Sequence, residues 1–300
     1  MADASGALSI GELAALTGTT VKTVRFYSDR GLLPESGRSG GGHRRYRPEA
    51  AARLRAIRSL RSLGVPVPEI AGMLEEPPER SADALDSVVD RRLEELGAQL
   101  SALRWREAAL RALREGAPEQ RAELLGLLGA IEVPPSTSAI AHYWRRLLPP
   151  RLSARLRRSV TEAAVPQPPA EPTPGQVLAF ARLHALAAAA TDGCLATSRP
   201  SPPAAHPDLL YDGLHEAYLL AEAGRSATAL DCYVGAHARA SGVRDTPGFR
   251  RALLPALAAA DHPVMSRYWQ LAEQLTPPRT LTLGAADLRL RSALAADVAL

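Results

Sequence analysis

The sequence predicts a mainly α protein: a winged helix-turn-helix N-terminal domain, a long coiled-coil dimerisation helix and an all-helical C-terminal effector domain. Three observations predict it. Two short amphipathic segments, Ser9–Leu16 and Thr20–Tyr27, flank the tight break Thr17-Gly18-Thr19, and a glycine-rich hairpin follows. Residues 81–115 contain no proline and a heptad spacing of apolar side chains. After Gly116 apolar residues recur at helical spacing, with no convincing period-two strand. At 300 residues, 46% hydrophobic and 23% charged, the chain has the length of about two domains and the composition to bury a core. No run approaches the roughly 18 uncharged apolar residues of a membrane span. Met1 to Leu8 lacks a basic region followed by an apolar run, so a cytoplasmic location without membrane contact is expected. Two cysteines, Cys194 and Cys232, are too few for a disulfide framework.

The elements follow in order. Ser9 with Glu12 three residues on is a capping box that opens the first helix, with Ile10, Leu13 and Leu16 on one face. The second helix runs from Thr20 to Tyr27 and closes at Gly31. Arg38 to Tyr46, with Gly40-Gly41-Gly42 at its tip, reads as a wing. A phosphate cradle is disfavoured there because no hydrophobic strand precedes the glycines and no Lys-Ser/Thr follows them. Pro48 is placed at the first position of the next helix, lined by Leu54, Ile57, Leu60 and Leu63 and ended by Gly64. A short helix from Pro68 to Glu76 stops at Pro77-Pro78. Domain bounds are expected at 1–76, 81–115 and 117–300.

Val89, Leu93, Leu96, Leu100, Leu103 and Leu110 are spaced 4, 3, 4, 3 and 7, with Glu107 in the skipped position. This is a coiled-coil seam of about three heptads. A leucine stripe that narrow on a helix that long needs a partner, and a second copy is the expected one. The competing reading is a core helix of the C-terminal domain. Beyond it, helices are expected near 118–131, 136–148, 151–163, 175–190, 207–223, 226–240, 247–260, 263–275 and 285–299, with proline-rich breaks at 166–174 and 200–207. The sequence His142-Tyr143-Trp144-Arg145-Arg146-Leu147 is weakly echoed by Arg267-Tyr268-Trp269-Gln270-Leu271.

Charge is concentrated. Residues 20–61 hold eleven Lys and Arg against three acids, net +8, which leaves −4 on the rest of a chain whose net charge is +4. That distribution is the footprint of a nucleic-acid module. Lys22 is the only lysine among 36 basic residues, so the abundance of arginine reads as composition bias and not as recognition.

The first 76 residues resemble the MerR family of bacterial transcription regulators. The resemblance is carried by Leu8-Ser9-Ile10-Gly11-Glu12-Leu13-Ala14, Val21-Lys22-Thr23-Val24-Arg25-Phe26-Tyr27, Gly31-Leu32-Leu33-Pro34, Gly42-His43-Arg44-Arg45-Tyr46 and Leu60-Arg61-Ser62-Leu63-Gly64 followed by Glu69-Ile70. It covers about a quarter of the chain plus the dimer helix. It departs from the family pattern at Phe26, Ser28 and Pro66, where tyrosine, glutamate and a capping serine are common. The resemblance implies a homodimer through an antiparallel coiled coil, double-stranded promoter DNA with an overlong spacer, and RNA polymerase as partners. The helix from Thr20 is expected in the major groove, where the base code is unambiguous. Thr20, Lys22, Thr23, Arg25, Tyr27, Arg38, His43, Arg44, Arg45 and Tyr46 are the candidate DNA-binding residues, with simple packing as the competing role for Tyr27 and Tyr46. Of Arg53, Arg55, Arg58 and Arg61, one or two can reach phosphate and the others are expected in solvent.

Residues from about 117 are not explained by the resemblance. Residues 77–131 hold no cysteine or histidine, and the histidines and cysteines beyond are scattered, so no metal and no cofactor is expected. Nine of the 13 aromatic residues lie in this part. They predict either a packed core or an organic-ligand pocket for a hydrophobic or cationic small-molecule effector, built from Tyr143, Trp144, Tyr211, Tyr218, Tyr233, Tyr268 and Trp269 with Asp212, Glu216 or Asp231. The alternative is a DNA-tethered regulator whose C-terminal domain binds another protein. An enzyme is not expected, because no nucleotide fingerprint, GxSxG or HExxH occurs.

Overall fold

The computed structural model describes residues 6–77, 80–189 and 205–299, and the chain divides into two units, Met1–Ala98 and Gln99–Leu300. In the first unit, Ser9 starts α1 (Ile10–Leu16) with the expected capping box. Its hydroxyl accepts from the Glu12 N–H, and its own N–H donates to the Glu12 carboxylate at 2.7 Å. Leu8–Ser9 is also a strand, β1, which the sequence reading missed because two residues carry no periodic signal. It pairs antiparallel with β3 (Arg44–Tyr46), and β2 (Gly37–Arg38) pairs with the other edge of β3 to give the order β1-β3-β2. β2 and β3 form the expected wing, whose turn uses Gly42 at φ +78°, a conformation other residues rarely adopt.

Helix α2 (Val21–Asp29) starts at Thr20, whose hydroxyl accepts from the Thr23 N–H. Helix α3 (Ala50–Ser62) begins later than expected. Ala50 and Ala51 donate to the carbonyls of Arg47 and Pro48, so the proline shapes the turn before the helix instead of being its first residue. Pro66 leaves α4 (Val67–Glu75) without a side-chain cap. Arg61 restrains the approach to α4 by donating to the Val65 carbonyl at 2.6 Å. The core beneath these elements joins Leu13, Val24, Leu33, Tyr46, Leu54 and Ile57 to Ile70 and to Val88 of α5 (Ser81–Glu115), the helix that runs through the division between units.

The second unit has one hydrophobic core that extends from Trp105 to Leu294. After a short 3-10 turn at Pro118–Gln120 come α6 (Arg121–Gly129), α7 (Ser138–Leu147), α8 (Ala154–Ala164) and α9 (Pro174–Ala189). Then follow α10 (Pro207–Glu222), α11 (Ser226–Ala240), α12 (Pro247–Ala259), α13 (Pro263–Leu275) and α14 (Leu283–Ala299). The helices fall where the apolar period places them, within a few residues at their ends. Residues 200–204 of the second proline-rich break, and Cys194, lie outside the described residues. Helix α9 is the centre. Ala179, Phe180 and Ala181 are consecutive and all buried, so most of its circumference at that turn is covered, Arg182 alone there standing exposed, and α6, α7 and α13 pack around it. Helices α10 and α11 pair closely, and α14 lies against α10, α11 and α12.

The two echoed dipeptides meet. Tyr143 of α7 stacks on Tyr268 of α13 with ring centroids 5.8 Å apart, and Trp144 lies 5.4 Å from Trp269. The C-terminal part of α5 is two-sided. Trp105 is buried edge-on against Phe180 at 5.4 Å, and its Nε1–H donates to the Pro169 carbonyl at 3.1 Å. Ala108 and Ala112 are buried on the same helix, whereas Leu100, Leu103 and Leu110 are 52%, 57% and 67% exposed. Replacing a buried indole by a methyl group loses its transfer energy and leaves a cavity. Trp105→Ala is therefore expected to lower stability by about 3–5 kcal/mol, read as a fall in the urea midpoint.

Candidate nucleic-acid interface and ligand recess

Helix α2 separates its residues cleanly. Val24 is fully buried and Tyr27 buries its ring, while Lys22 and Arg25 are exposed and make no ion pair among the described residues. Thr20 and Thr23 cap the helix start, with their hydroxyl oxygens 2.9 Å apart. Tyr27 is 7% exposed. Tyr46 differs: it is fully buried, and its hydroxyl donates to Ser28 Oγ at 3.0 Å. Ser28, one of the departures from the family pattern, thus receives the wing tyrosine, and Tyr46 drops out of the set of residues able to touch a ligand. Phe26, a second departure, is exposed, with the Arg30 guanidinium 3.7 Å above its ring.

The wing is tied to α2 by charge. Arg44 bridges Asp29 at 2.5 Å and Glu35 at 2.8 Å, and Arg38 reaches Glu35 at 3.5 Å. Asp29, first through its hydrogen bond, holds the Arg44 guanidinium above its usual range. His43 is exposed at the tip and Arg45 is half-buried. Of the α3 arginines expected to reach phosphate or solvent, Arg55, Arg58 and Arg61 are exposed and Arg53 is half-buried, and all four also donate to backbone carbonyls. Arg53 donates to the Leu32 carbonyl at 2.6 Å, Arg58 to the Thr17 carbonyl at the end of α1, Arg61 to Val65 and Arg55 to Ala51. Arg53, Arg58 and Arg61 satisfy carbonyls that helix ends and turns leave open, whereas Arg55 bonds within its own helix. The seam residues Val89, Leu93 and Leu96 of the first unit are exposed, as are Leu100, Leu103 and Leu110 of the second.

In the second unit, four of the seven predicted aromatics line a recess of about 60 Å³: Trp144, Tyr211, Tyr218 and Trp269. The other three pack in the core and do not line it. Tyr143 donates to Met265 Sδ, Tyr268 to the Ala164 carbonyl and Tyr233 to Asp287. The polar groups proposed from sequence lie elsewhere, since Asp212 pairs with Arg155, Asp231 pairs with Arg250, and Glu216 is absent from the recess lining. Instead the recess holds His215 and Asp287. Asp287 Oδ1 accepts from Tyr218 at 3.0 Å and Tyr233 at 2.8 Å, and Oδ2 lies 2.6 Å from Arg291 Nε. Burial pushes its carboxyl up, and Arg291 and the two phenols pull it back. The Asp287/Arg291 spacing of four in a helix was the signal in the sequence that could have found it.

Gly284, in the first turn of α14, sits on the Trp269 indole, where an added Cβ would lie 2.2 Å from Cγ. Trp269, Gly284 and Asp287 also belong to a neighbouring groove of about 300 Å³. Trp144, buried beside the recess, stands edge-on to Tyr268 at 5.4 Å, and its Nε1–H has the Tyr268 hydroxyl as its neighbour.

Residues 8–77 match the family model described as MerR HTH family regulatory protein, and residues 51–113 match the one described as MerR, DNA binding. A ZntR-homolog transcriptional regulator from Haemophilus influenzae is 33% identical over 110 residues, which is 36% of this chain and 82% of that protein. The chain belongs to the MerR family. Other MerR-family relatives include the transcriptional activator TipA of Streptomyces coelicolor, 36% identical over 125 residues, or 39% of this chain and 48% of TipA. The mercuric resistance operon regulatory protein of Serratia marcescens is 32% identical over 106 residues, covering 35% of this chain and 74% of its own. The chain thus spans about half the length of the TipA activator it matches. Among the described residues, no helix is long and apolar enough to cross a membrane.

In this MerR-family chain one buried histidine links stability to pH. His237 is 5% exposed, lies edge-on to Tyr233 at 4.9 Å, and has a buried Nε2 without a partner. Burial, aided by the Arg291 charge, pushes its pKa down to about 4. The unfolded chain then binds the extra proton between about pH 4 and 6.5, so this stability is full above 6.5 and lost as pH falls towards 4. The expected loss is about 3 kcal/mol in urea unfolding across that window, and His237→Leu is expected to flatten it.

Proposed function

We propose that this chain is a MerR-type transcription regulator that binds double-stranded promoter DNA as a homodimer and responds to an organic small molecule held by the second unit. The observation that carries the DNA reading is the division of α2. Val24 and Tyr27 anchor it, while Lys22 and Arg25 stand exposed, without an ion pair among the described residues, on the helix that Thr20 caps. In a helix-turn-helix the second helix enters the major groove by its N-terminal residues. Lys22, Thr23 and Arg25 then face base edges or phosphate. Thr20, Tyr27, Arg38, His43, Arg44 and Arg45 hold backbone and register, and Arg44 also fixes the angle of the wing.

The exposed seam from Val89 to Leu110 supports the homodimer. Leucines at this spacing on a surface helix are stable only when covered, and a second α5 offers the complementary stripe. Signal transfer is then local. Trp105 roots α5 in the core that also contains α9 and the recess aromatics, and Leu100, Leu103 and Leu110 occupy the same helix on its exposed side. A ligand that binds one arrangement of that core more tightly biases the seam, and through it the two DNA-binding units on the promoter. Twisting an overlong promoter spacer in this way allows RNA polymerase to engage both of its elements.

Two measurements test the reading. Lys22→Ala is expected to weaken binding to promoter fragments of any sequence and to reduce the slope of log affinity against log salt by about one. An unchanged slope removes Lys22 from the interface. The double variant Leu100→Glu, Leu103→Glu alters only exposed positions, so it should fold. In sedimentation velocity it is expected to run as a monomer where the parent runs as a dimer.

A further inference from the structure

We propose that the second unit holds its effector in a basic groove between α7 and α8, and that the effector is an amphipathic organic anion, an apolar body with a carboxylate or phosphate head. This rests on the reading of that unit as the effector domain and specifies the site and its chemistry. The groove shares no lining residue with the aromatic recess.

Charge points there first. Residues 133–161 contain six arginines and no acid, whereas the rest of 99–300 carries sixteen arginines against eighteen acids. Composition bias accounts for arginine in place of lysine but not for the missing acids. Two acids of α10 reach the start of α8, and both are taken. Asp208 accepts the Ser153 N–H at 2.9 Å, and Asp212 pairs with Arg155 at 3.1 Å. Arg145, Arg157 and Arg158 line the groove and make no ion pair among the described residues. Glu162, on the same lining, is exposed and pairs with none of them. Like charges gathered beside one groove repel, and a counter-charge from outside relieves them.

Shape asks for more than an ion. Ala154, Arg157, Arg158 and Thr161 recur at spacings of three and four, so they share one face of α8, and Ala141 and Arg145 lie one turn apart on α7. Ala141, Leu152 and Ala154 supply apolar ground among the guanidinium groups, and the alkyl stems of the arginines extend it. The volume is about 540 Å³, within the roughly 300–1,000 Å³ of small-molecule sites. Arg157 is fixed in advance. Its Nη2 donates to the Pro150 carbonyl at 2.8 Å and to the Leu152 carbonyl at 3.1 Å, so its charge stays at the groove with little ordering left for binding. Arg145 and Arg158 are exposed and make no hydrogen bond among the described residues, which leaves their forks for a carboxylate or phosphate. A cation is repelled here, a neutral chain uses the apolar ground alone, and a DNA backbone uses the arginines but leaves the apolar ground bare.

The test is isothermal titration calorimetry of the full-length protein, without DNA, with octanoate and with octyl phosphate. Octan-1-ol has the body without the charge, octylammonium reverses the charge, and acetate has a head without the body. At least one of the two octyl anions is expected to saturate, about ten-fold more tightly than the alcohol or the ammonium, the size expected of hydrogen bonds to a charged group. Acetate is expected to bind at least about ten-fold more weakly than that anion, for want of the chain. Arg145→Gln and Arg158→Gln, both at exposed positions, are each expected to weaken the anion about two- to five-fold and to leave the alcohol unaffected. Saturation by neither anion at millimolar concentration, or binding no tighter than that of the alcohol or acetate, overturns the proposal. So does an anion affinity unchanged in the double variant, and if that variant instead loses affinity for a promoter fragment, the groove belongs to DNA. Promoter binding by the parent protein is scored separately. Promoter binding without anion binding defeats the ligand assignment alone, and anion binding without promoter binding defeats the regulator reading and leaves the site standing.

Discussion

Much of this molecule depends on a single indole. Trp105 is the large buried side chain by which α5 enters the core of the second unit. Its ring meets Phe180 of the central helix, and its N–H closes on the Pro169 carbonyl in the proline-rich approach to that helix. Alanines at 108 and 112 keep the same side of α5 thin enough to lie close. The leucines are thereby left on the outside, so one helix carries both a buried face and an exposed apolar stripe.

The first unit is held together differently. Its apolar core is small, and its arginines compensate by acting as clamps. Arg53, Arg58 and Arg61 each hold a carbonyl outside their own helix at 2.5–2.6 Å. A guanidinium offers five donors in a rigid fork, so it can close a helix end and still present charge to solvent. Much of the local +8 thus takes part in holding the unit together, while Lys22 and Arg25 of α2 make no ion pair among the described residues.

The sequence made most of the helices legible, because amphipathic period, proline and glycine punctuation and capping boxes are local properties. Pairing was less legible. β1 is two residues long and exists only because Tyr46 and Arg45 lie beside it. Tyr46 looked like a phosphate ligand from its place in the wing, but the serine that accepts its hydroxyl lies 18 residues away. In the second unit the aromatics stood out by type, yet type alone does not separate Tyr268, which points into the core, from Trp269, one residue on, which borders the recess. Asp287 was passed over because a carboxylate in a helix reads as surface until Tyr218 and Tyr233, from two other helices, are seen to converge on it.

The three tryptophans of the chain are placed as if to be watched. Trp144 and Trp269 lie 5.4 Å apart beside the recess, near enough for their excited states to mix, while Trp105 lies alone on α5 against a phenylalanine. Near-ultraviolet circular dichroism of the coupled pair and emission from the isolated indole therefore belong to different places. The protein carries built-in optical labels for two places in the second unit, and a change at either can be followed without adding a dye.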